Sequence, residues 1–234
     1  RPVEKRFNIQ KQLMGGISGS EWAKYYDQDR ENFPPKDGQY KLGILEFKEA
    51  VQGLRFVEEL IINNPKEFAV IQLGASSGKE ICYLAKRFQE TSFIYTDIFE
   101  AVTSYASSKL KLPNIDYVTC PAESLPAIAQ TINRKRIIIF SSGSCQYVYP
   151  ENLDYTFRLF SKVVNKEINF ILDESCNKSK VNPMTYPGSL PRGLFSYTHN
   201  YRFYAEKNGF STKKWTFVEP FLPKEEFPNY LQDT

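Results

Sequence analysis

The chain has 234 residues, of which 41% are hydrophobic and 15% aromatic, which suits one compact domain or one domain with a small cap. Its 30 Lys and Arg against 27 Asp and Glu give a net charge of only +3. This balance, without a dense basic block, disfavours nucleic acid as the main partner. No apolar stretch approaches the roughly 20 residues of a membrane helix and no charged-then-apolar leader opens the chain, so we expect no membrane span.

The cysteine pattern favours reduced thiols. The four cysteines are at least 25 residues apart and form no C-x-x-C pair (Cys82, Cys120, Cys145 and Cys176). Widely spaced thiols in or beside core elements are typical of a cytoplasmic protein. We therefore expect a cytoplasmic location, while the sequence leaves the oligomeric state open.

The N-terminal part of the chain is expected to be helical. Aromatic residues and a Pro34-Pro35 turn mark the first forty residues as an arm or cap, which includes Trp22, Tyr25 and Tyr26. A long amphipathic helix is predicted over Leu42 to Ile62, because Asn63, Asn64 and Pro65 then end the pattern. We accordingly divide the chain into an N-terminal helical cap, residues 1–66, and a second unit, residues 67–234.

Strand and helix patterns alternate from residue 68 onward. Short runs that are apolar on both faces predict strands at Phe68 to Leu73, Ser92 to Thr96, Ile115 to Thr119, Arg136 to Phe140 and Asn169 to Leu172. Helical spacing predicts helices at Gly78 to Gln89, Ala101 to Leu110, Leu125 to Ile132 and Asn152 to Val164. This βαβ series predicts an α/β fold, a Rossmann-like doubly wound and mostly parallel sheet with helices on both faces.

The C-terminal part departs from this alternation. Asn177 to Gly193 is rich in proline and glycine and is expected to resist regular structure. A helix is predicted over Tyr201 to Asn208, stopped at Gly209, and a final strand over Lys214 to Val218.

A glycine-rich turn follows the first predicted strand of the sheet, in VIQLGASSG, residues 70–78. Such a turn places backbone N–H groups and a positive helix end where a ligand can approach, although glycine is also needed there for geometry alone. The second strand ends in Asp97, 23 residues after Gly74. An acid at that distance can accept hydrogen bonds from a ribose diol, so both features point to a nucleoside.

At this point the sequence resembles the class I S-adenosylmethionine-dependent methyltransferases over roughly Phe68 to Val218, most closely the sugar and small-molecule O-methyltransferases. The resemblance rests on the order and spacing of five segments: VIQLGASSG, YTDIF at 95–99, CPAESLP at 120–126, RIIIFSSGSCQYVYPENL at 136–153 and SYTHNYRFYAEKNGF at 196–210. The N-terminal EWAKYYD is similar to the segment that closes over the cofactor in related enzymes. The family's cofactor, S-adenosyl-L-methionine, is therefore implied.

The resemblance also implies which residues hold this cofactor. They are the arm residue Tyr26, the first-motif residues Gln72, Gly74, Ala75, Ser76 and Gly78, the second-strand pair Asp97 and Ile98, the segment Ala122 and Glu123, and Ser141, Ser142 and Gln146 after the fourth strand. Ile98 would pack on adenine, Ala122 would offer an amide and Glu123 an acid at the adenine ring.

Three positions depart from the family pattern. Gln72 stands where the first motif usually carries an acid, Ser76 replaces its middle glycine, and Pro121 occupies a position near adenine that is often acidic. An amide can hydrogen-bond but brings no negative charge towards a methionine ammonium. An alternative is therefore a non-catalytic binding or scaffolding module that keeps the fold but has lost the cofactor.

Three residues are candidates for the base that a hydroxyl acceptor requires. His199 is the only histidine, and a neutral imidazole suits proton transfer at neutral pH. It could instead cap the helix near Tyr201. Asp173 and Glu174 compete at the end of the fifth strand, where alternation lets at most one face the cleft. No tight ligand spacing supports a metal, and SSGSC lacks the G-x-S-x-G pattern of a hydrolase.

The acceptor has no sequence motif of its own. Tyrosines around the predicted loops suit stacking on a ring or sugar, although such residues also close a core edge. We expect a small-molecule or glycan acceptor and no nucleic acid, because the near-neutral chain carries no N-P-P-Y-like loop after Phe140.

Overall fold

A five-stranded parallel sheet forms the centre of the protein. The computed structural model describes residues 52–176, 188–192 and 196–216, together with Asp27 and the backbone of 40–42 and 45–47. In chain order its elements are β1 (Tyr40–Leu42), β2 (Leu45–Phe47), α1 (Gln52–Ile61), β3 (Phe68–Leu73), α2 (Lys79–Arg87), β4 (Ser92–Asp97), α3 (Glu100–Lys109), β5 (Ile115–Thr119), α4 (Leu125–Thr131), β6 (Arg136–Ser142), α5 (Pro150–Phe160), β7 (Glu167–Asp173), β8 (Ser189–Arg192), β9 (Ser196–His199) and α6 (Tyr201–Lys207).

The strand order of the sheet is β5-β4-β3-β6-β7, and every neighbouring pair is parallel. Counted from β3, this is the order 3-2-1-4-5, which reverses between β3 and β6. In open sheets of this kind ligands bind outside the carboxyl ends of the strands, at the point of reversal. The predicted Rossmann-like doubly wound sheet is confirmed, and its switch point lies directly beside the glycine loop that follows β3.

Helices cover both faces of the sheet because the strands are apolar on both sides. One face carries Val70, Phe93 and Ile138, which pack with the buried side chains of α1, α2 and α3. The other carries Ile71, Ile94 and further isoleucines of β6, which pack with α4 and with Phe160 of α5. Because α1 contributes Leu54, Val57 and Ile61 to the first cluster, residues 52–61 are a layer of this core. The division of the chain at residue 66 stays a prediction.

The helix predicted over Leu42 to Ile62 is too long at its start. The structure places β1 and β2 there as an antiparallel pair, with Leu42 opposite Leu45, and α1 begins only at Gln52. The segment YKLGILEF contains a glycine, which costs a helix about 1 kcal/mol relative to alanine. Its remaining residues include several that fit a pleated strand.

The C-terminal predictions are corrected in two places. Residues 189–192, which we expected to lack regular structure, form β8 and pair antiparallel with β9. Pro191 is compatible with this because a two-stranded ribbon leaves one edge without ladder bonds. Residues 214–216 form no strand, whereas 217 and 218 lie outside the described residues. Among the helices described, none is long and apolar enough to cross a bilayer.

Candidate functional site

The turn after β3 has the backbone of a tight ligand loop. Gly74, Ser76 and Gly78 all have positive φ, at 61°, 50° and 75°. The turn is tied to β4, since Ala75 N donates to the Thr96 carbonyl oxygen at 2.8 Å and the Thr96 hydroxyl donates to the Gln72 carbonyl oxygen at 2.7 Å. Ser76 is exposed at the tip although it adopts a left-handed conformation that side chains disfavour. The serine therefore keeps the loop shape expected of glycine.

Asp97 lies at the carboxyl end of β4, against this loop. It is 7% exposed, and its two oxygens accept the backbone N–H groups of Ser76 at 3.2 Å and Phe99 at 3.0 Å. Burial raises the pKa of Asp97 above its ordinary value, and these backbone donors act in the opposite direction. The backbone N–H of Ile98 also acts on this carboxyl. A carboxylate offers about four lone-pair sites, so Asp97 can still accept a further donor such as a ribose hydroxyl.

Gln72 is buried beneath the loop, at 2% exposure. Its side-chain Nε2 donates to Oε2 of Glu80 in α2 at 3.2 Å, whereas its Oε1 has no hydrogen-bond partner. The other Glu80 oxygen lies 4.0 Å from Nζ of Lys79, which is also buried. An unpartnered buried carbonyl oxygen is costly, which makes Gln72 a candidate ligand contact.

The space beside Gly74 is filled by the neighbouring loop. A Cβ on Gly74 would lie 2.7 Å from both Cβ and Oγ of Ser144, whose hydroxyl donates to the Gly74 carbonyl oxygen at 2.8 Å. The missing side chain of Gly74 thus admits Ser144, which follows β6. Gly74 joins the two strands at the switch point.

Gly78 is needed for both backbone and packing reasons. A Cβ there would lie 2.8 Å from Leu110 Cδ1 and 3.2 Å from the Tyr95 ring. We expect Gly78→Ala to lower the free energy of unfolding by about 2 kcal/mol, from left-handed strain and overpacking together. Gly143→Ala is the matched control, because Gly143 has φ 70° but its nearest atom is 3.8 Å away. Equal losses for both variants in urea unfolding would contradict the packing contribution.

The residues expected at adenine follow the next strands along the sheet, Ile98 directly after β4 and Ala122 and Glu123 in a short turn after β5. Ile98 is half-buried and Ala122 is buried, while Glu123 accepts a hydrogen bond from the Asn152 side chain of α5. Tyr26 lies outside the described residues. Its neighbour Asp27 accepts a hydrogen bond from the Tyr105 hydroxyl of α3 at 3.0 Å, so Asp27 lies beside the helix that follows Asp97.

Glu174 closes the loop that follows β6. Its Oε1 accepts hydrogen bonds from the Ser141 hydroxyl at 2.5 Å and from the backbone N–H groups of Ser144 and Cys145, both at 2.8 Å. Its Oε2 accepts from Gln146 N at 3.3 Å. Burial raises the pKa of Glu174 to about 7 although these donors lower it. Glu174 therefore uses most of its hydrogen-bond acceptor sites to hold the loop that follows β6 in place.

Asp173 points to the opposite face from Glu174, as alternation predicts. Residue 173 is exposed, pairs in register with Ser142 at the end of β6, and accepts one hydrogen bond from Gly53 N of α1 at 3.3 Å. Ser142 is half-buried, and the Gln146 amide turns back to the Gly143 carbonyl oxygen at 2.7 Å. Of the two acids, Asp173 has the more accessible carboxylate.

His199 is fully buried, at 0% exposure, on the side of the sheet that carries α5 and α6. Its Nε2 lies 3.0 Å from the Val148 carbonyl oxygen and must donate to it, so Nδ1 is the acceptor for the Ser189 hydroxyl at 2.6 Å. Burial lowers the pKa of His199 to about 4. Both ring nitrogens are thus engaged, which fits a structural role better than a base. The helix cap is Asn200, whose Oδ1 accepts from Phe203 N at 3.0 Å.

The single histidine allows a direct check of this environment. We expect the His199 ring signals in an NMR titration to stay constant from pH 8 to about pH 5 and to move only towards pH 4, because the buried ring resists protonation. A midpoint near the ordinary value of 6.5 would contradict the buried, hydrogen-bonded position and would revive His199 as a base.

In the described part of the chain we find neither a group of metal ligands nor a reactive thiolate. No three His, Cys, Asp or Glu side chains there converge to hold a metal ion. All four cysteines are described and none forms a disulfide. Burial raises the pKa of the Cys120 thiol to about 11 and that of Cys145 well above its ordinary value, so neither is a thiolate at neutral pH.

The structure brings most of the predicted residues to one edge of the sheet. Gln72 to Gly78 and Asp97 form one hydrogen-bonded group, and Ser141, Gln146 and Glu174 form a second that Ser144 joins to the first. Sequence reasoning missed Glu80 and Ser144. Glu80 could have been found from its position, because it is an acid two residues after Gly78. Ser144 carried no such signal, because it does not differ from the small residues beside it.

No family model matches the chain, and no curated protein matches it in sequence. Several solved structures resemble it. Coclaurine N-methyltransferase bound to N-methylheliamine and SAH is 14% identical at TM-score 0.47, over 86% of this chain and 67% of that one. A SAM-dependent methyltransferase from Aquifex aeolicus is 19% identical at TM-score 0.37, over 64% and 68%.

A third similar structure is the methyltransferase domain of bacterial CtHen1-CN, 14% identical at TM-score 0.40 over 50% of this chain. This chain spans 62% of that domain. All three solved proteins are methyltransferases by name, and the identities are too low to transfer a substrate or the role of a residue.

Proposed function

We propose that the protein is an S-adenosylmethionine-dependent methyltransferase that acts on a hydroxyl oxygen of a small molecule or glycan. The observation that carries this proposal is the buried acid Asp97 at the end of β4, hydrogen-bonded to the exposed tip of the glycine loop at the switch point of the sheet. A loop with positive-φ backbone beside an acid that can still accept a donor suits a nucleoside and its ribose.

The residues present fit this cofactor. Asp97 would accept the ribose hydroxyls, Ile98 would contact the adenine, and the unpartnered Oε1 of Gln72 would accept from an amine. Ala122 and Glu123, which follow β5, would border the adenine, and the arm that includes Tyr26 would cover the nucleoside. When bound, the cofactor would supply an electrophilic methyl group on a sulfonium.

The chain's own part in the transfer is to align the acceptor and remove its proton. We assign the removal of this proton to Asp173, because residue 173 is exposed at the carboxyl end of β7 beside Ser142 and because burial raises the pKa of its carboxyl, which makes the carboxylate a better base. Glu174 would hold the loop that faces the acceptor. His199 would support that loop from below through its hydrogen bond to the Val148 carbonyl oxygen.

Calorimetric titration with S-adenosylhomocysteine tests the proposal. At protein concentrations near 0.1 mM, a dissociation constant below that value (about −5 kcal/mol or stronger) should give a one-to-one isotherm. A labelled methyl donor offered with a panel of sugars and phenols would then identify the acceptor class. Absence of heat would contradict the proposal.

The second candidate is a module that keeps the fold without the cofactor. The contact of Ser144 with Gly74 favours it, because the neighbouring loop already fills the space that the glycine leaves. The same titration separates the two candidates, since this module would bind neither the cofactor nor its product. A cytoplasmic location remains part of the first proposal.

A further inference from the structure

The Gln72 side chain is held in one orientation. Glu80 can only accept when ionised, so the amide nitrogen of Gln72 must face it at 3.2 Å and the amide oxygen must face away. That oxygen is buried and has no partner, while Gln72 as a whole is 2% exposed. A buried amide that uses its donor but not its acceptor is built to receive a donor from elsewhere.

The charge of Glu80 decides which donor suits the site. Glu80 lies in the first turn of α2, where the positive helix end would repel a cation. Its carboxylate opposes that positive helix end, and the hydrogen bond polarises the Gln72 amide so that Oε1 becomes a better acceptor. Lys79 offsets part of this charge, since its Nζ lies 4.0 Å from Glu80 Oε1. A positively charged N–H donor would therefore form the most favourable hydrogen bond with Gln72 Oε1.

We propose that Glu80, acting through Gln72, supplies the negative charge that recognises a primary ammonium group of the ligand at the glycine loop. The inference rests on the proposed function, in which that group is the ammonium of the methionyl part. Glu80 is a positioning residue: it orients the Gln72 amide and contributes its field. The acid that the first motif usually carries in β3 is thus replaced by an acid in α2, eight residues later.

Two nucleosides separate recognition of the ammonium from binding in general. S-adenosylhomocysteine carries the amino-acid tail, whereas 5′-methylthioadenosine lacks it. We expect Glu80→Gln to weaken the binding of S-adenosylhomocysteine by about tenfold or more, which corresponds to the loss of a hydrogen bond to a charged group. The affinity for 5′-methylthioadenosine should change by no more than about twofold. Both dissociation constants are measured by calorimetry.

A swap variant tests the role of the charge itself. In the double variant Gln72→Glu with Glu80→Gln, the acid returns to β3 and the amide moves to α2, so S-adenosylhomocysteine affinity should recover to within about threefold of the unmodified protein. Glu58→Gln is the matched control, because Glu58 is another shielded acid whose ion pair with Arg87 lies at the far end of α2. It should change neither affinity.

The outcomes are distinct. Equal losses for both nucleosides in Glu80→Gln, or no loss for either, overturn the inference and leave the proposed function standing. A swap variant that has native circular dichroism but binds as weakly as Glu80→Gln also overturns it, and would leave a buried water as the partner of Gln72. If the unmodified protein binds neither nucleoside, the proposed function and the inference fail together.

Discussion

Asp97→Ala should weaken the binding of S-adenosylhomocysteine by about 10-fold to 150-fold, because a hydrogen bond to a charged group contributes roughly 1.5 to 3 kcal/mol. Asp97 is the only acid at the end of β4, and the loop tip at Ser76 bonds to it directly. Calorimetry on the variant measures the change. Asp97→Asn, which keeps an acceptor for Phe99 N but loses the charge, should give an intermediate loss.

Asp116→Ala is the control for this variant. Asp116 lies on the adjacent strand β5 but is exposed and far from the carboxyl end, so its removal should not change the affinity. An Asp97→Ala protein that is folded and binds as tightly as the unmodified one would show that the ribose lies elsewhere.

Glu174→Ala should lower the free energy of unfolding by about 3 kcal/mol, the largest loss of stability that we expect from one side chain at this edge of the sheet. The truncation leaves the backbone N–H groups of Ser144 and Gln146 without their acceptor, and it leaves Cys145 N with only the Ser141 hydroxyl oxygen at 3.2 Å. Asp173→Ala is the matched control, because Asp173 is exposed and accepts one 3.3 Å bond, so its loss should stay below about 1 kcal/mol. Both variants are measured by urea unfolding. Equal losses in the free energy of unfolding would contradict this expectation.

The same carboxyl predicts a pH dependence. Its pKa is about 7 in the folded protein and near 4.5 when unfolded, so between these values the folded state holds a proton that the unfolded state has lost. The contribution of Glu174 to the free energy of unfolding is fully present below about pH 4.5 and is lost as the pH rises through 7. The loss amounts to as much as about 3 kcal/mol. Glu174→Gln should remove this loss. If the free energy of unfolding changed by the same amount between pH 5 and pH 8 in the unmodified protein and in Glu174→Gln, the raised pKa would be contradicted.

The central sheet was predictable because its strands carry their own signal. Runs such as RIIIF are apolar on both faces, and a strand of that kind is stable only between two helical layers. The small ribbons were not predictable in the same way. β8 contains Pro191 and depends on pairing with β9, and β1 depends on β2, so each needs a partner that local propensity does not reveal.

The site was predictable in its backbone and less so in its side chains. Gly74, Gly78 and Asp97 follow from spacing, since strand ends of a parallel sheet meet at one edge. His199 was a candidate base because it is the only histidine, but Ser189 and Val148 engage both ring nitrogens through tertiary contacts that the sequence does not reveal. Gln72 looked like a lost acid until α2 placed Glu80 beside it. The assignment of the individual cofactor-binding and catalytic residues stays a prediction.

A crystal structure of the protein with S-adenosylhomocysteine tests the account most directly. We predict density for the nucleoside at the switch point, with both ribose hydroxyls within hydrogen-bond distance of the Asp97 carboxylate, the adenine against Ile98 and the ammonium at Gln72 Oε1. A nucleoside bound elsewhere, or crystals that stay free of ligand at millimolar concentration, would contradict the account.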